Sequence, residues 1–222
     1  QKRGCILLDG SGAFAKWTAT DSANMLCLRY SVADDSSGTV TLRVTGTNGT
    51  VTSQKVSLTS AQAWVYFDSQ MNEYNSAGTG RVPLKRYNET RIKLATSLQP
   101  GDALELRRDS GDNLAVWIDV LEAETSSSFT PTNLATAYLD VTGYGANGSD
   151  NGDDTSAFQS CLNAATTAGK GVYIPPGTYR INQQLNLLPN TTLQGAGMWH
   201  TEILFTSTGS EASGGIEGRG AN

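Results

Sequence analysis

From Asp140 to Gly177 the chain sets a glycine-rich acidic loop, one short helix and one short strand against a Pro-Pro-Gly stop, and few folds accept that order. Gly143-Tyr144-Gly145-Ala146-Asn147-Gly148 and Asp150-Asn151-Gly152-Asp153-Asp154 are turn formers that no regular element absorbs, which predicts a loop. Beyond it Phe158, Cys161, Leu162, Ala165 and Ala168 fall on one helical face, Ser156 and Gln159 have capping-box spacing, and Gly169 stops the helix. The acids Asp150, Asp153 and Asp154 suit a helix N-terminus, and their spacing is not that of an EF-hand loop. Val172-Tyr173-Ile174 is an apolar run bounded by Gly and Pro and reads as a buried strand, after which Pro175-Pro176-Gly177-Thr178 turns the chain sharply. Leu185 to Leu188, Thr191 to Leu193 and Ile203 to Phe205 then alternate short runs with turns too brief for helical crossovers. Such spacing predicts successive rungs of a β-solenoid.

Residues 4 to 124 lack helical periodicity and read as strands. Val40-Thr41-Leu42-Arg43-Val44-Thr45 alternates cleanly, giving Val40, Leu42 and Val44 one face and Thr41, Arg43 and Thr45 the other. Further candidates are Cys5 to Leu8, Ala13 to Thr18, Met25 to Val32, Val51 to Leu58, Ala63 to Phe67, Arg91 to Leu94, Ala103 to Arg107 and Ala115 to Leu121. Gly, Asn, Asp or Ser clusters separate them at sandwich spacing. Residues 1–124 are therefore expected to form a β-sandwich, 125–136 a Ser/Thr/Pro linker, and 137–222 an incomplete solenoid. A solenoid of a few rungs exposes apolar side chains and strand edges at its last coil, so a continuation of the coil or a partner chain is expected to cover it.

Three motifs of the second part carry a resemblance. Asp140-Val141-Thr142-Gly143-Tyr144-Gly145-Ala146, Asp153-Asp154-Thr155-Ser156-Ala157-Phe158-Gln159 and Gly171-Val172-Tyr173-Ile174-Pro175-Pro176-Gly177-Thr178-Tyr179 resemble the N-terminal cap and first coil of the pectate-lyase-like right-handed β-helix. In the first part, Ile6-Leu7-Leu8-Asp9-Gly10-Ser11-Gly12, Leu28-Arg29-Tyr30-Ser31-Val32 and Trp117-Ile118-Asp119-Val120 are similar to jelly-roll carbohydrate-binding modules. With Tyr87-Asn88-Glu89-Thr90-Arg91 between them, the order resembles the N-terminal half of the α-1,3-glucanase and mycodextranase family of glycoside hydrolases. The resemblance implies an all-β fold: a jelly-roll β-sandwich followed by the cap and first coils of a right-handed parallel β-helix. It implies a part that binds polysaccharide, an α-glucan, with the catalytic acids on later coils beyond residue 222, so no catalytic residue is assigned. No cofactor is required. By analogy with such modules, Asp119 is a ligand of a structural Ca²⁺.

Charged residues make up 17% of the chain and the net charge is −5 without a basic block, which argues against nucleic acid or an anionic membrane as partner. Apolar runs are too short to span a bilayer, no signal peptide is seen, and the start at Gln1 suits a processed product or a fragment. Low charge, frequent Thr, Ser and Gly, and Asn-x-Ser/Thr sequons at Asn48, Asn88, Asn147 and Asn190 point to a secreted glycoprotein. Cys5 and Cys27 lie in neighbouring strand-like stretches and could pair, leaving Cys161 unpaired or linked to another chain; three buried free thiols is the alternative.

Sugar binding needs flat apolar faces for the C–H side of a pyranose and nearby amides or carboxylates for its hydroxyls. Gln70-Met71-Asn72-Glu73-Tyr74-Asn75-Ser76 is the richest polar loop with an aromatic inside, which makes Tyr74, Asn72 and Gln70 the first candidates. Trp64, Trp117 and Tyr87 follow, while Trp17, Trp64 and Trp117 all sit in strand-like runs that favour a core role. A single histidine, His200, argues against a Ser-His-Asp triad or a His-based zinc site. Three functions stand: the polysaccharide-binding part of a secreted α-glucan hydrolase; a non-catalytic extracellular structural or adhesive subunit whose helix another chain completes and whose Cys161 bridges to it; and a carbohydrate-binding module carrying a stub of the helix, which the uncovered last coil disfavours.

Overall fold

Eleven strands follow one another in the first part. They are β1 Ile6–Leu8, β2 Phe14–Thr18, β3 Ala23–Ser31, β4 Ser37–Thr45, β5 Val51–Thr59, β6 Trp64–Phe67, β7 Glu73–Tyr74, β8 Val82–Lys85, β9 Asn88–Leu98, β10 Ala103–Arg107 and β11 Val116–Glu124. The computed structural model describes residues 4–61, 64–74, 78–85, 87–207 and 215–218, the side chains at 64 and 83–85 aside. Two antiparallel sheets, ordered β1-β11-β3-β9 and β2-β10-β4-β5, share one core. Leu26, Leu28 and Tyr30 of one sheet meet Val40, Leu42 and Val44 of the other, so the alternation expected at 40–45 holds. A third sheet, β7-β6-β8, was missed beyond β6 because β7 has two residues and β8 carries Pro83, a residue confined to edge strands.

Thr41 points away from this core yet is buried, because the loop Asp109–Leu114 folds over it. The Asp112 side chain at the centre of that loop is fully buried. Its Oδ1 accepts from Thr39 Oγ1 at 2.7 Å and Lys55 Nζ at 2.8 Å, and its Oδ2 from Thr41 Oγ1 at 2.8 Å and the Asp109 N–H at 2.9 Å. Burial raises its pKa, but these donors outweigh burial and hold it at about 2.

The second part contains β12 Tyr138–Asp140, β13 Gly171–Ile174, β14 Gly177–Ile181, β15 Leu185–Leu187, β16 Leu193–Gly195, β17 Thr201–Phe205 and β18 Ile216–Gly218. All of these pair in parallel: β12-β13-β16, β14-β17 and β15-β18. Helices are few, α1 Leu134–Ala137 and α2 Thr155–Ala168, and strands dominate both parts, as an all-β chain requires. Contacts divide the chain into compact units Gln1–Ser126 and Ser127–Asn222.

Helix α2 buries Phe158, Cys161, Leu162 and Ala165 against Val172, Ile174 and Tyr179, with the Phe158 and Tyr179 rings edge to face at 5.3 Å. Ala168, expected on that face, is exposed in the last turn, and Gly169 ends the helix at φ +64°. The expected capping box between Ser156 and Gln159 does not form, because the helix starts two residues earlier than a Ser156 cap would set it, at Thr155 with Asp154 as the N-cap. Gln159 instead closes a strand edge, its Oε1 accepting from Asn186 N at 2.9 Å and its Nε2 donating to Asn186 O at 3.1 Å. The same edge is closed at Thr178 by Gly148 O, at Arg180 by Asp154, and at Asn182 by Thr155 Oγ1. Gly148 and Gly177 must both lack a side chain here, since a Cβ on either would lie 2.8 Å from the Cα of the other and Gly177 has φ +155°.

Candidate functional site

Asp68 follows β6 and organises the loop to β7. Its Oδ1 accepts the N–H of Gln70 and of Asn72, both at 2.9 Å, and its Oδ2 accepts from Asn72 Nδ2 at 2.9 Å and from Tyr74 Oη at 3.0 Å. The Asn72 amide, with the loop N–H groups and the Tyr74 hydroxyl, holds this carboxylate at about 2, so the brace stays ionised at neutral pH. Met71 takes φ +63° at the tip and exposes 74% of its surface. The guanidinium of Arg81 lies 3.6 Å from the centre of the Tyr74 ring. A loop held this way has little freedom left to lose, and it presents the Gln70 side chain, Met71 and an Arg-stacked ring. Asn72 and Tyr74, two expected sugar contacts, are also the loop's internal ties. Asn75 and Ser76 lie outside the described residues.

The other sequence candidates fall elsewhere. Trp117 is half-buried on the outer side of β11, paired with Leu7 and Ser31. Near it, Arg29 Nε stands 3.3 Å from Asp119 Oδ2, and the Arg29 guanidinium 5.6 Å from the Tyr87 ring centre. Burial, then a hydrogen bond with the Cys5 thiol, raises the Tyr87 phenol above its usual value. Arg29 was not singled out from sequence, although the outward phase of β3 marks it. The Trp64 side chain lies outside the described residues. Trp17 packs partly against the core.

Asp119 does not fit a calcium site. A guanidinium already neutralises it, and no group of three or more His, Cys, Asp or Glu suited to a metal occurs among the described residues. The expected Cys5–Cys27 bridge is also corrected, since all three cysteines are free. Strand β11 runs between β1 and β3, which puts the two backbones about 9–10 Å apart at two strand spacings, beyond a disulfide's reach. Asn88 is buried and donates to Thr59 O at 2.7 Å, so that sequon cannot carry a glycan, whereas Asn48, Asn147 and Asn190 are exposed.

Asp150, Asp153 and Asp154 are internal ties. Asp150 accepts from Asn147 Nδ2 and the Gly152 N–H, and Asp153 from the N–H and hydroxyl of Thr155. Asp154 is buried and accepts Asn147 N at 2.8 Å and Arg180 N at 3.0 Å. Cys161 is fully buried in α2, and burial pushes its thiol up to about 11. It therefore cannot bridge to another chain while the fold holds. With an excess of a thiol-reactive dye in native buffer, Cys5 is expected to label quickly and Cys161 at least a hundredfold more slowly, becoming equally reactive in denaturant; peptide mapping reads this.

A sequence model described as alpha-1,3-glucanase catalytic domain D1 matches residues 1–126, and one described as rhamnogalacturonase A/epimerase, pectate lyase-like matches residues 138–221. The crystal structure of the Agl-KA catalytic domain superposes with a TM-score of 0.81 at 33% identity, over 96% of this chain and 38% of that one. The catalytic domain of a GH87 alpha-1,3-glucanase in complex with nigerose shares the fold, with a TM-score of 0.73 at 24% identity over 96% of this chain and 37% of that one. Mannuronan C5-epimerase AlgE6 of Azotobacter vinelandii is 38% identical over 84 residues, 34% of this chain and 10% of the epimerase. The chain thus spans well under half the length of each of these relatives.

Proposed function

Since the chain belongs to the alpha-1,3-glucanase catalytic domain D1 family through residues 1–126, we propose that it is the polysaccharide-holding front part of a secreted glycoside hydrolase acting on an α-glucan. The observation that carries this reading is the 96% coverage at 33% identity by the Agl-KA catalytic domain, whose remaining length leaves room for cleaving coils after this segment. In this reading the two facing sheets are a jelly roll, the parallel strands are the first coils of a right-handed β-helix, and the paired carboxylates of glycoside hydrolysis stand on coils that follow. The Asp68-braced loop takes sugar through Gln70 and the Tyr74 ring. The exposed sequon residues Asn48, Asn147 and Asn190 support a setting outside the cell. The rival reading, an adhesive subunit cross-linked through Cys161, loses its distinguishing mark with that thiol buried.

Co-sedimentation with insoluble α-1,3-glucan and with cellulose tests the proposal. The chain is expected in the α-glucan pellet and not with cellulose, without release of reducing sugar, and Tyr74→Ala weakens retention about tenfold, roughly 1.4 kcal/mol. Equal retention on both polymers, or none on either, overturns it.

A further inference from the structure

At the end of the sandwich where β2 finishes and β3 begins, the sheets part around a cavity of about 190 Å³. Its inner wall is apolar: Leu98 and Leu104, both buried in the core, with half-buried Leu121 and Trp17. Trp17 gives part of its surface to the core and part to the cavity, and among the described residues its indole N–H has no protein partner. The rim is the polar turn Thr18–Ser22, where Thr20 Oγ1 donates to Asp21 Oδ2 at 3.0 Å and Asp21 Oδ1 faces no donor among the described residues.

The rim is already rigid. Ala19 N donates to Asp102 O and Gly101 N to Ala19 O, each at 2.8 Å, while Ser22 Oγ donates to Gln99 Oε1 at 3.1 Å and Ser22 O accepts from Thr125 Oγ1 at 2.8 Å. Asp102, buried behind the turn, accepts the N–H of Thr47 and of Gln99. Binding here orders nothing that is not ordered already. The volume is below the ~300 Å³ at which pockets for drug-sized ligands begin, and it suits a single ring.

An aromatic wall with an indole donor, an aliphatic floor, and hydroxyl and carboxylate groups on one rim match one ligand chemistry, a pyranose with an apolar C–H face and a hydroxylated edge. We propose that this cavity is a second carbohydrate site, seating one terminal sugar unit on Trp17 with its hydroxyls on Asp21 and Thr20. This rests on the α-glucan reading above but uses a separate surface. The Asp68 loop follows β6, whose Tyr66 hydroxyl donates to Asp34 just past the end of β3, whereas the cavity opens at Ala23, the start of β3. The nine residues of β3 run between those two ends, roughly 30 Å of strand at ~3.3 Å per residue. One unit could then hold two chains of an insoluble glucan, or two stretches of one, with an avidity that neither site has alone.

The test is nigerose titration of the full chain, followed by tryptophan fluorescence and by chemical shifts of the Thr18–Ser22 amides. In Tyr74→Ala, nigerose is expected still to shift those amides. In Asp21→Ala and Trp17→Phe it binds at least tenfold more weakly, and Trp17→Ala abolishes the fluorescence change. Asp21 is exposed, so its variant keeps the fold even if Trp17→Ala does not. Unchanged nigerose affinity in a folded Asp21→Ala and Trp17→Phe, or shifts confined to the Asp68 loop, overturns the second site and leaves the α-glucan reading intact. Loss of pelleting on α-1,3-glucan by the unaltered chain overturns the reading itself.

Discussion

Replacing Asp112 with Ala is expected to lower the stability of the first unit by about 3 kcal/mol at pH 7. The cost does not come mainly from Lys55, whose half-exposed ammonium returns to water when its partner goes. It comes from the buried Thr41 hydroxyl and the Asp109 N–H, which lose their acceptor where water cannot replace it. Asp112→Asn fares little better, since its amide N–H₂ would point at donors. The pH dependence follows from the depressed pKa. Lying below its ordinary 3.8 in the folded state, the group adds its full stability above about pH 4 and loses it as the pH falls toward 2. Urea unfolding should therefore show the wild type shedding about 2 kcal/mol over that window while Asp112→Ala does not, so the two converge in acid. A difference that stays constant from pH 7 to pH 2 would show that the carboxylate's charge is irrelevant.

Asp154→Ala is expected to cost the second unit about 3 kcal/mol, because two N–H donors, those of Asn147 and Arg180, lose the same buried acceptor pair. Asp153→Ala, at the preceding residue, removes hydrogen bonds to Thr155 and Asn182 and should cost about 1 kcal/mol, because its carboxylate is exposed and water can replace it. The two neighbours thus separate a buried tie from an exposed one. Limited proteolysis reads the difference directly: Asp154→Ala should be cut between Asn147 and Asp153 under conditions where Asp153→Ala is intact. Equal resistance of both variants would place the strength of this loop elsewhere, in the Gly148–Gly177 contact.

What could be read in advance depended on the range of the interaction. The alternation at Val40–Val44 and the apolar face of α2 are local patterns, and both hold apart from Ala168 in the last turn. Asp154 looked like one more helix-start acid because its partner Arg180 is far along the chain, and Asp112 carried no signal because Thr39, Thr41 and Lys55 reach it only across sheet pairings. Cys5 and Cys27 failed for the same reason in reverse, since nothing near them shows that β11, from the other end of the unit, lies between their strands. In the candidate loop the polar composition at Gln70–Tyr74 was legible. That Asp68 would anchor it was not, since an Asp ahead of a loop is ordinary in sequence and distinctive only once four donors converge on it.

The edge of β14 and β15 closed by Gly148, Asp154, Thr155 and Gln159 gives the second unit a direction. Side chains of a helix start hold the backbone groups at Arg180, Asn182 and Asn186 that another strand would otherwise claim, so this side offers no template for stray pairing. On the opposite side the edges of these sheets are β16, β17 and β18, which the helix start does not reach. Two copies meeting by these closed edges therefore find no free strand groups at Arg180, Asn182 and Asn186 to share.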